Sequence, residues 1–209
     1  MRLYHFMKQK YGLMAIKARR LRISRLMELN DPFEFLGVDL SDKIRRHVLV
    51  QTKQQLSEKN GLLCFCKSWH NPVLWGHYAE SHKGLCLGFD IPDHLPKQVN
   101  YVTSRPSWPE SVDESFVLRL LFTKFVHWSY EDEYRFYTSL GTEEDGNFFA
   151  SFSEKLKLKQ VIVGAESKLS RKELSAALGE IECEVEVFKA RAAFRSFRVV
   201  RNKNDSLWI

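Results

Sequence analysis

Apolar and polar positions alternate along this chain with two different periods, and the switches between them divide it into elements. RLYHFM at residues 2–7 alternates with period two, as a strand does, and YGLMAIKARRL at 11–21 follows as a helix carrying Leu13, Ile16 and Leu21 on one side. LRISRLMEL at 21–29 returns to strand, and Asn30, Asp31 and Pro32 then mark a loop, because Asn and Asp bond their own backbone and Pro forces an extended residue before it. Residues 40–58 place Leu40, Ile44, Val48 and Leu56 near helical spacing. GLLCFCK at 61–67 reads as a buried strand, Asn71 and Pro72 open a short helix over 72–80, and GLCLGFD at 84–90 is a further strand.

The second half repeats this mixture. Residues 91–109 hold four prolines and read as a long loop suited to a binding lid. ESVDESFVLRLLF at 110–122 is helical, WSYEDEYRF at 128–136 is a strand, and a polar turn at 141–147 precedes the strand LKQVIVG. SRKELSAALG is a capped helix, and IECEVEVF and AFRSFRVVR complete the order as strands. The expectation is one α+β domain over residues 1–209, with about eight strands in a mixed, mostly antiparallel split sheet and about five helices.

The aromatic strand at 128–136 raises the first chemical question. On a strand, successive side chains face opposite ways, so Glu131, Glu133 and Arg135 share one face while Tyr130, Asp132, Tyr134 and Phe136 share the other. Two carboxylates beside a guanidinium form a constellation suited to chemistry if that face lines a cleft. Three other groups stand out. His5 shares a face of the first strand with Leu3, and Asn30-Asp31-Pro32-Phe33-Glu34 sets a carboxylate after an apparently buried Phe33. Trp75, His77 and Tyr78 lie on the short helix that runs into His82-Lys83-Gly84, a corner where a backbone can approach a ligand closely.

Composition narrows the class. At 209 residues, 44% hydrophobic and 28% charged, the chain can bury a core of its own, and no apolar run is long enough to span a bilayer. The opening residues lack a signal peptide, since Lys8, Gln9 and Lys10 interrupt the apolar stretch, so a cytoplasmic location is expected. Cys64, Cys66, Cys86 and Cys183 sit in strand-like runs and read as reduced thiols; without a second paired motif at finger spacing, no metal is expected. The net charge of +6 is concentrated: residues 1–53 carry twelve Lys and Arg against five Asp and Glu, and the rest twenty against twenty-one. KARRLRISR, residues 17–25, is the densest part, either a solvated face or an anion site for phosphates.

LYHF, NDPFE, the block CFCKSWHNPVLWGHYAESHKGLCLGFD at 64–90, W-x-x-E-x-E-x-R and VIVG, in that order, resemble the bacterial domain-of-unknown-function family 2971. That family occurs in bacterial and phage-associated proteins, and the likeness runs from Tyr4 to about Val187. Where this chain has Cys66, the family tends to have serine. A looser resemblance, in the order of roles, is to the ADP-ribosyltransferase fold and its His-Tyr-Glu branch. It implies that His5 bonds the ribose of NAD, Tyr78 stacks on nicotinamide and Glu133 is the catalytic carboxylate with Glu131 as companion. Arg135, Trp75, His77, Lys83, Asn30 and Asp31 would then help hold NAD, which is consumed as a substrate. No G-x-G-x-x-G follows a strand, so hydride transfer on a dinucleotide fold is not expected. The competing expectation is a non-enzymatic module that grips nucleic acid through its basic first quarter.

Overall fold

The computed structural model describes residues 1–204, Ser206 and Trp208. In chain order these form β1 (Arg2–Met7), α1 (Gln9–Ala18), β2 (Arg20–Arg25), α2 (Lys43–Lys59), β3 (Asn60–Cys66), α3 (Pro72–Tyr78), β4 (Leu85–Asp90), β5 (Lys97–Gln98), β6 (Asn100–Val102), α4 (Glu114–Leu121), β7 (Thr123–Phe125), β8 (Glu133–Ser139), β9 (Phe148–Ser151), β10 (Lys157–Val163), α5 (Arg171–Leu178), β11 (Glu186–Ala192) and β12 (Val199–Arg201). Single 3-10 helices occupy Leu26–Glu28, Val126–Glu131 and Gly179–Glu184. The fold is α+β with a mixed, largely antiparallel sheet, and among the described residues it has twelve strands where about eight were expected.

The chain groups into two compact units, one of Met1–Leu21, Phe65–Asp93 and Ala150–Ile209, the other of Arg22–Cys64 and His94–Phe149. In the first unit, β4 is the central strand: β1 pairs with it antiparallel on one side, Leu3 opposite Phe89, and β10 antiparallel on the other, Val161 opposite Leu87. β11 then adds parallel to β10, and β12 antiparallel to β11. Leu85, Cys86, Leu87 and Phe89 are wholly buried, which is what a continuous apolar run means in a strand covered on both faces. Phe6 meets Trp75 edge to face, with ring centroids 5.2 Å apart, so α3 packs its Trp75 face against β1.

In the second unit β2 pairs antiparallel with β3, Ser24 opposite Leu62, and β5 with β8, Lys97 opposite Arg135. β6 and β7 form a separate parallel pair. Its apolar core joins Leu26, Phe35, Val38, Leu49 and Leu62 to Phe116, Leu120 and Leu121 of α4. α4 is held at its start by Asp113, whose carboxylate accepts from the Phe116 N–H at 2.8 Å.

Several expected elements differ for local reasons. The segment 128–136 is not one strand: Val126–Glu131 is a 3-10 helix, Asp132 takes a left-handed conformation at φ 42°, and the strand begins at Glu133. Asp adopts that conformation more readily than most residues, and here its carboxylate accepts from Gln98 Nε2 at 2.9 Å. The loop at 91–109 contains β5 and β6. The helix expected over 40–58 starts at Lys43; of the expected apolar stripe Leu40 and Leu56 pack against the core, where Leu49 is buried, while Ile44 is 74% exposed. Half of IECEVEVF is 3-10 helix, and in AFRSFRVVR only the last three residues are strand.

Candidate functional site

The three charges expected on one strand face do converge, but they reach each other from different elements of the second unit and recruit two further side chains. Arg135, on β8, is fully buried. Its Nη1 and Nη2 donate to Glu34 at 2.9 and 2.5 Å, a bidentate pair, while Nε and Nη2 donate to Glu133 at 2.8 and 3.0 Å. The remaining N–H of Nη1 donates to Leu121 O at 2.7 Å, so all five guanidinium donors are satisfied. Lys124, on β7, donates through Nζ to Glu131 at 2.6 Å and to Glu133 at 3.2 Å, and stands 3.6 Å from Glu34. Three carboxylate side chains and two basic ones are thus enclosed together.

Burial disfavours the charged forms of Glu133, Lys124 and Arg135, and their mutual pairing opposes it. For Glu133 desolvation pushes the carboxyl upward, but Arg135 and Lys124 overcome it and hold the pKa down to about 2. For Lys124 desolvation pulls downward, and the field of Glu133, Glu131 and Glu34 more than reverses it. The same contest leaves Arg135 well above its usual value. The Cys64 thiol, hydrogen-bonded to Glu133, is raised mainly by desolvation and then by that carboxylate's charge, so it is a poor nucleophile here. The Glu133 backbone N–H donates to Tyr101 Oη at 2.9 Å, which anchors the start of β8 to β6.

Glu34 enters this cluster through the NDPFE turn, and the turn reverses an expectation. Asp31 accepts from the Phe33 N–H at 2.9 Å, and the Glu34 N–H donates to Asp31 O at 3.1 Å. These bonds point Glu34 inward at 2% exposure and leave Phe33, expected to be buried, 57% exposed. Asp31 is buried as well, and Asn30 is exposed. Neither Glu34's role nor Lys124 was foreseen. The available signal for Lys124 was a single lysine inside the apolar run LLFTKFV.

Lys124 also forms part of the wall of a pocket of about 260 Å3 in this unit, with Phe33, Leu36, Val102, Arg105 and Phe125 around it. Phe33 and Phe125 expose their rings, and the Arg105 guanidinium lies 5.4 Å from the Phe33 centroid. The pocket therefore has two exposed rings and an exposed cation, and Lys124 in its wall is bonded to the buried carboxylates.

The other expected site residues belong to the first unit. His5 is half-buried, its ring 5.7 Å from Phe65 in an edge-to-face contact. Trp75 is wholly buried and its indole N–H donates to Trp69 O at 2.7 Å, so the ring is occupied by core packing. His77 is exposed, and Tyr78 is half-buried beside it with ring centroids 6.0 Å apart. Lys83 is exposed. Gly84, expected to admit a ligand, instead admits backbone: a Cβ there would run into Met7 O, so the corner packs against the end of β1. The preceding Glu80, Ser81 and His82 all have positive φ, and His82 O and Gly84 O accept from the Glu166 and Gly164 N–H groups.

The basic run at 17–25 is largely engaged. Arg22 and Arg25 bond Glu28 at 2.7 and 2.9 Å, and Arg19 donates to the carbonyls of Ile16 and Leu178. Among the described residues no helix is long and apolar enough to cross a membrane, and no three His, Cys, Asp or Glu side chains are placed to hold a metal ion. No protein-family model, no curated protein and no solved structure matches the chain.

Proposed function

We propose that the pocket beside Lys124 binds one end of NAD, and that the chain is an NAD-consuming ADP-ribosyltransferase or glycohydrolase, as the resemblance of its role order implies. The observation that carries this reading is the placement of Lys124, in the pocket wall and bonded to both Glu131 and Glu133. A volume of about 260 Å3 lies just below the ~300–1,000 Å3 usual for sites that enclose a drug-sized ligand, so it suits a ring with its sugar and not a whole dinucleotide. Phe33 and Phe125 supply faces for a planar ring, and Arg105 a partner for phosphate.

The reaction breaks the bond between ribose C1 and the nicotinamide nitrogen. The electron pair leaves with the ring, which becomes neutral, and an acceptor oxygen or water attacks C1 and loses a proton. The sugar passes through an oxocarbenium-like state, which an ionised carboxylate stabilises by its charge, without proton transfer. With its pKa near 2, Glu133 has that character. This reading does not rest on His5 or Tyr78, to which the resemblance assigns roles.

Incubating purified protein with NAD and measuring free nicotinamide by chromatography tests the proposal. Wild-type protein should release nicotinamide, Glu133→Gln should lose at least about 100-fold in rate, and Arg105→Ala should raise KM with little change in kcat. Absence of release by the wild type, with water or with added protein and nucleic-acid acceptors, would end the enzymatic reading.

A further inference from the structure

The turn between β11 and β12 carries an unusual pair of side chains. Phe194 is 90% exposed and Phe197 is 99% exposed, while no other large apolar side chain among the described residues exceeds 74%. Scattered single exposures are common on protein surfaces, but two rings three residues apart on one tight turn are not scattered. Arginines separate and flank them: Arg191, Arg195 and Arg198. From Val187 to Asn204 the sequence has six Lys and Arg and no Asp or Glu. Three of those cations donate within the fold, Lys189 to Ser167 O, Arg191 to Ala192 O and Arg201 to Glu186. Arg191, Arg195 and Arg198 make no ion pair among the described residues.

The base of this hairpin is fixed while its tip is bare. Ala192 pairs with Val199, and the Ala193 N–H donates to Arg198 O at 2.9 Å. On the other side of β12, His70 clamps Val199 twice: its carbonyl accepts the Val199 N–H at 2.9 Å, and its Nδ1–H donates to Val199 O at 2.7 Å. Val199 is buried, so the tip is presented by a rigid edge. The Arg191 guanidinium already lies 4.3 Å from the Phe194 centroid, covering one face of that ring.

We propose that this tip is a binding site for single-stranded nucleic acid, with Phe194 and Phe197 stacking on bases and Arg195 and Arg198 contacting phosphates. Aromatic rings interleaved with arginines are what a single strand requires, because every base has a face to stack and every nucleotide a charge to neutralise. The Arg191–Phe194 pair favours nucleic acid over an anionic bilayer: a base extends the existing stack on the open ring face, whereas insertion into lipid would carry the attached guanidinium out of water. The site is separate from the basic run at 17–25, and it does not depend on NAD chemistry.

Fluorescence anisotropy with a labelled oligothymidylate, and with the matching oligouridylate, tests this on the full chain. Wild-type protein should bind at low salt, with a log–log salt slope near −2 if about three phosphates are neutralised. Each of Phe194→Ala and Phe197→Ala should weaken binding about 5- to 150-fold, and Arg195→Ser with Arg198→Ser should reduce the slope by about 1.4. All four residues are exposed, so thermal unfolding should be unchanged and any loss is a loss of contact. The proposal is overturned if the wild type does not bind either oligonucleotide at low salt, or if the double phenylalanine variant binds as tightly as the wild type. It is equally overturned if the phenylalanine variants lose binding only to phosphatidylserine vesicles. Nicotinamide release should be indifferent to these variants, which separates this test from that of the pocket.

Discussion

At the scale of single residues the buried cluster is the clearest source of expected behaviour. The Glu133 carboxyl is held near 2 in the folded chain against an ordinary value near 4.5, so the folded state binds this proton less readily than the unfolded state does. A depressed carboxylate contributes stability that is complete above about pH 4.5 and is lost as pH falls toward 2. Denaturant unfolding followed from neutral pH downward should therefore show a loss of a few kcal/mol in that window, and Glu133→Gln should flatten the curve. Removing the cation has a harsher effect. Arg135→Leu leaves Glu34 and Glu133 with Lys124 as the one cation between them and removes Glu34's bidentate partner, which should cost about 3–5 kcal/mol. Adding Glu34→Leu should return part of that loss, because a missing charge is cheaper than an unpaired one. A double-mutant cycle by chemical denaturation measures the coupling, and additive losses would contradict it. Period-two reading brought Glu131, Glu133 and Arg135 together, but it could not show that Glu34 joins them. Two turn hydrogen bonds decide which of Phe33 and Glu34 points inward, and hydrophobicity alone favours the wrong one.

At the scale of elements, legibility followed burial. β3, β4 and β10 were readable because unbroken apolar runs have few alternatives, and α5 because Ser170 and Glu173 cap it reciprocally, as the sequence suggests. The segment 128–136 reads as one strand because Trp128, Tyr130, Tyr134 and Phe136 all favour strands, and only its part from Glu133 is one, because the decisive feature is the backbone of one residue. Asp132 turns left-handed, its N–H donates to Ser129 O at 3.1 Å, and the chain changes from 3-10 helix to strand there. That turn lets Glu131 and Glu133 approach the same ammonium from different elements. Asp132→Val should cost about 1–2 kcal/mol, since a β-branched side chain pays the left-handed penalty in full, and Asp132→Asn should be near neutral. Thermal denaturation of the two variants checks it; equal stability would mean the turn does not depend on local conformational preference. Averaging concealed the second basic segment in a similar way. Twenty cations against twenty-one anions after residue 53 look balanced, yet residues 187–204 are entirely one-sided.

At the scale of the whole molecule, the two units are interleaved along the chain, each assembled from segments that return after long excursions. This is why no linker is visible in the composition: the crossings after residues 21, 64, 93 and 149 fall within or beside ordinary elements. It also determines how the chain should respond to cutting. A break between Asp93 and His94, both exposed, severs no strand. It nevertheless separates β4 from β10, whose register runs from Leu85 opposite Val163 to Asp90 opposite Lys157, and Glu34 from Arg135. Fragment 1–93 would keep β1 and β4 but expose one edge of a strand whose apolar residues are wholly buried in the intact fold, and fragment 94–209 would keep Arg135 buried beside Glu133 without its second carboxylate. Neither piece contains a complete core, so each alone should lack cooperative unfolding by circular dichroism. Mixed at equal concentration they should recover the native spectrum and co-elute as one species, because the lost contacts are non-covalent and the cut lies in an exposed connection. Cooperative folding of either fragment alone would show that the interleaving is incidental to stability.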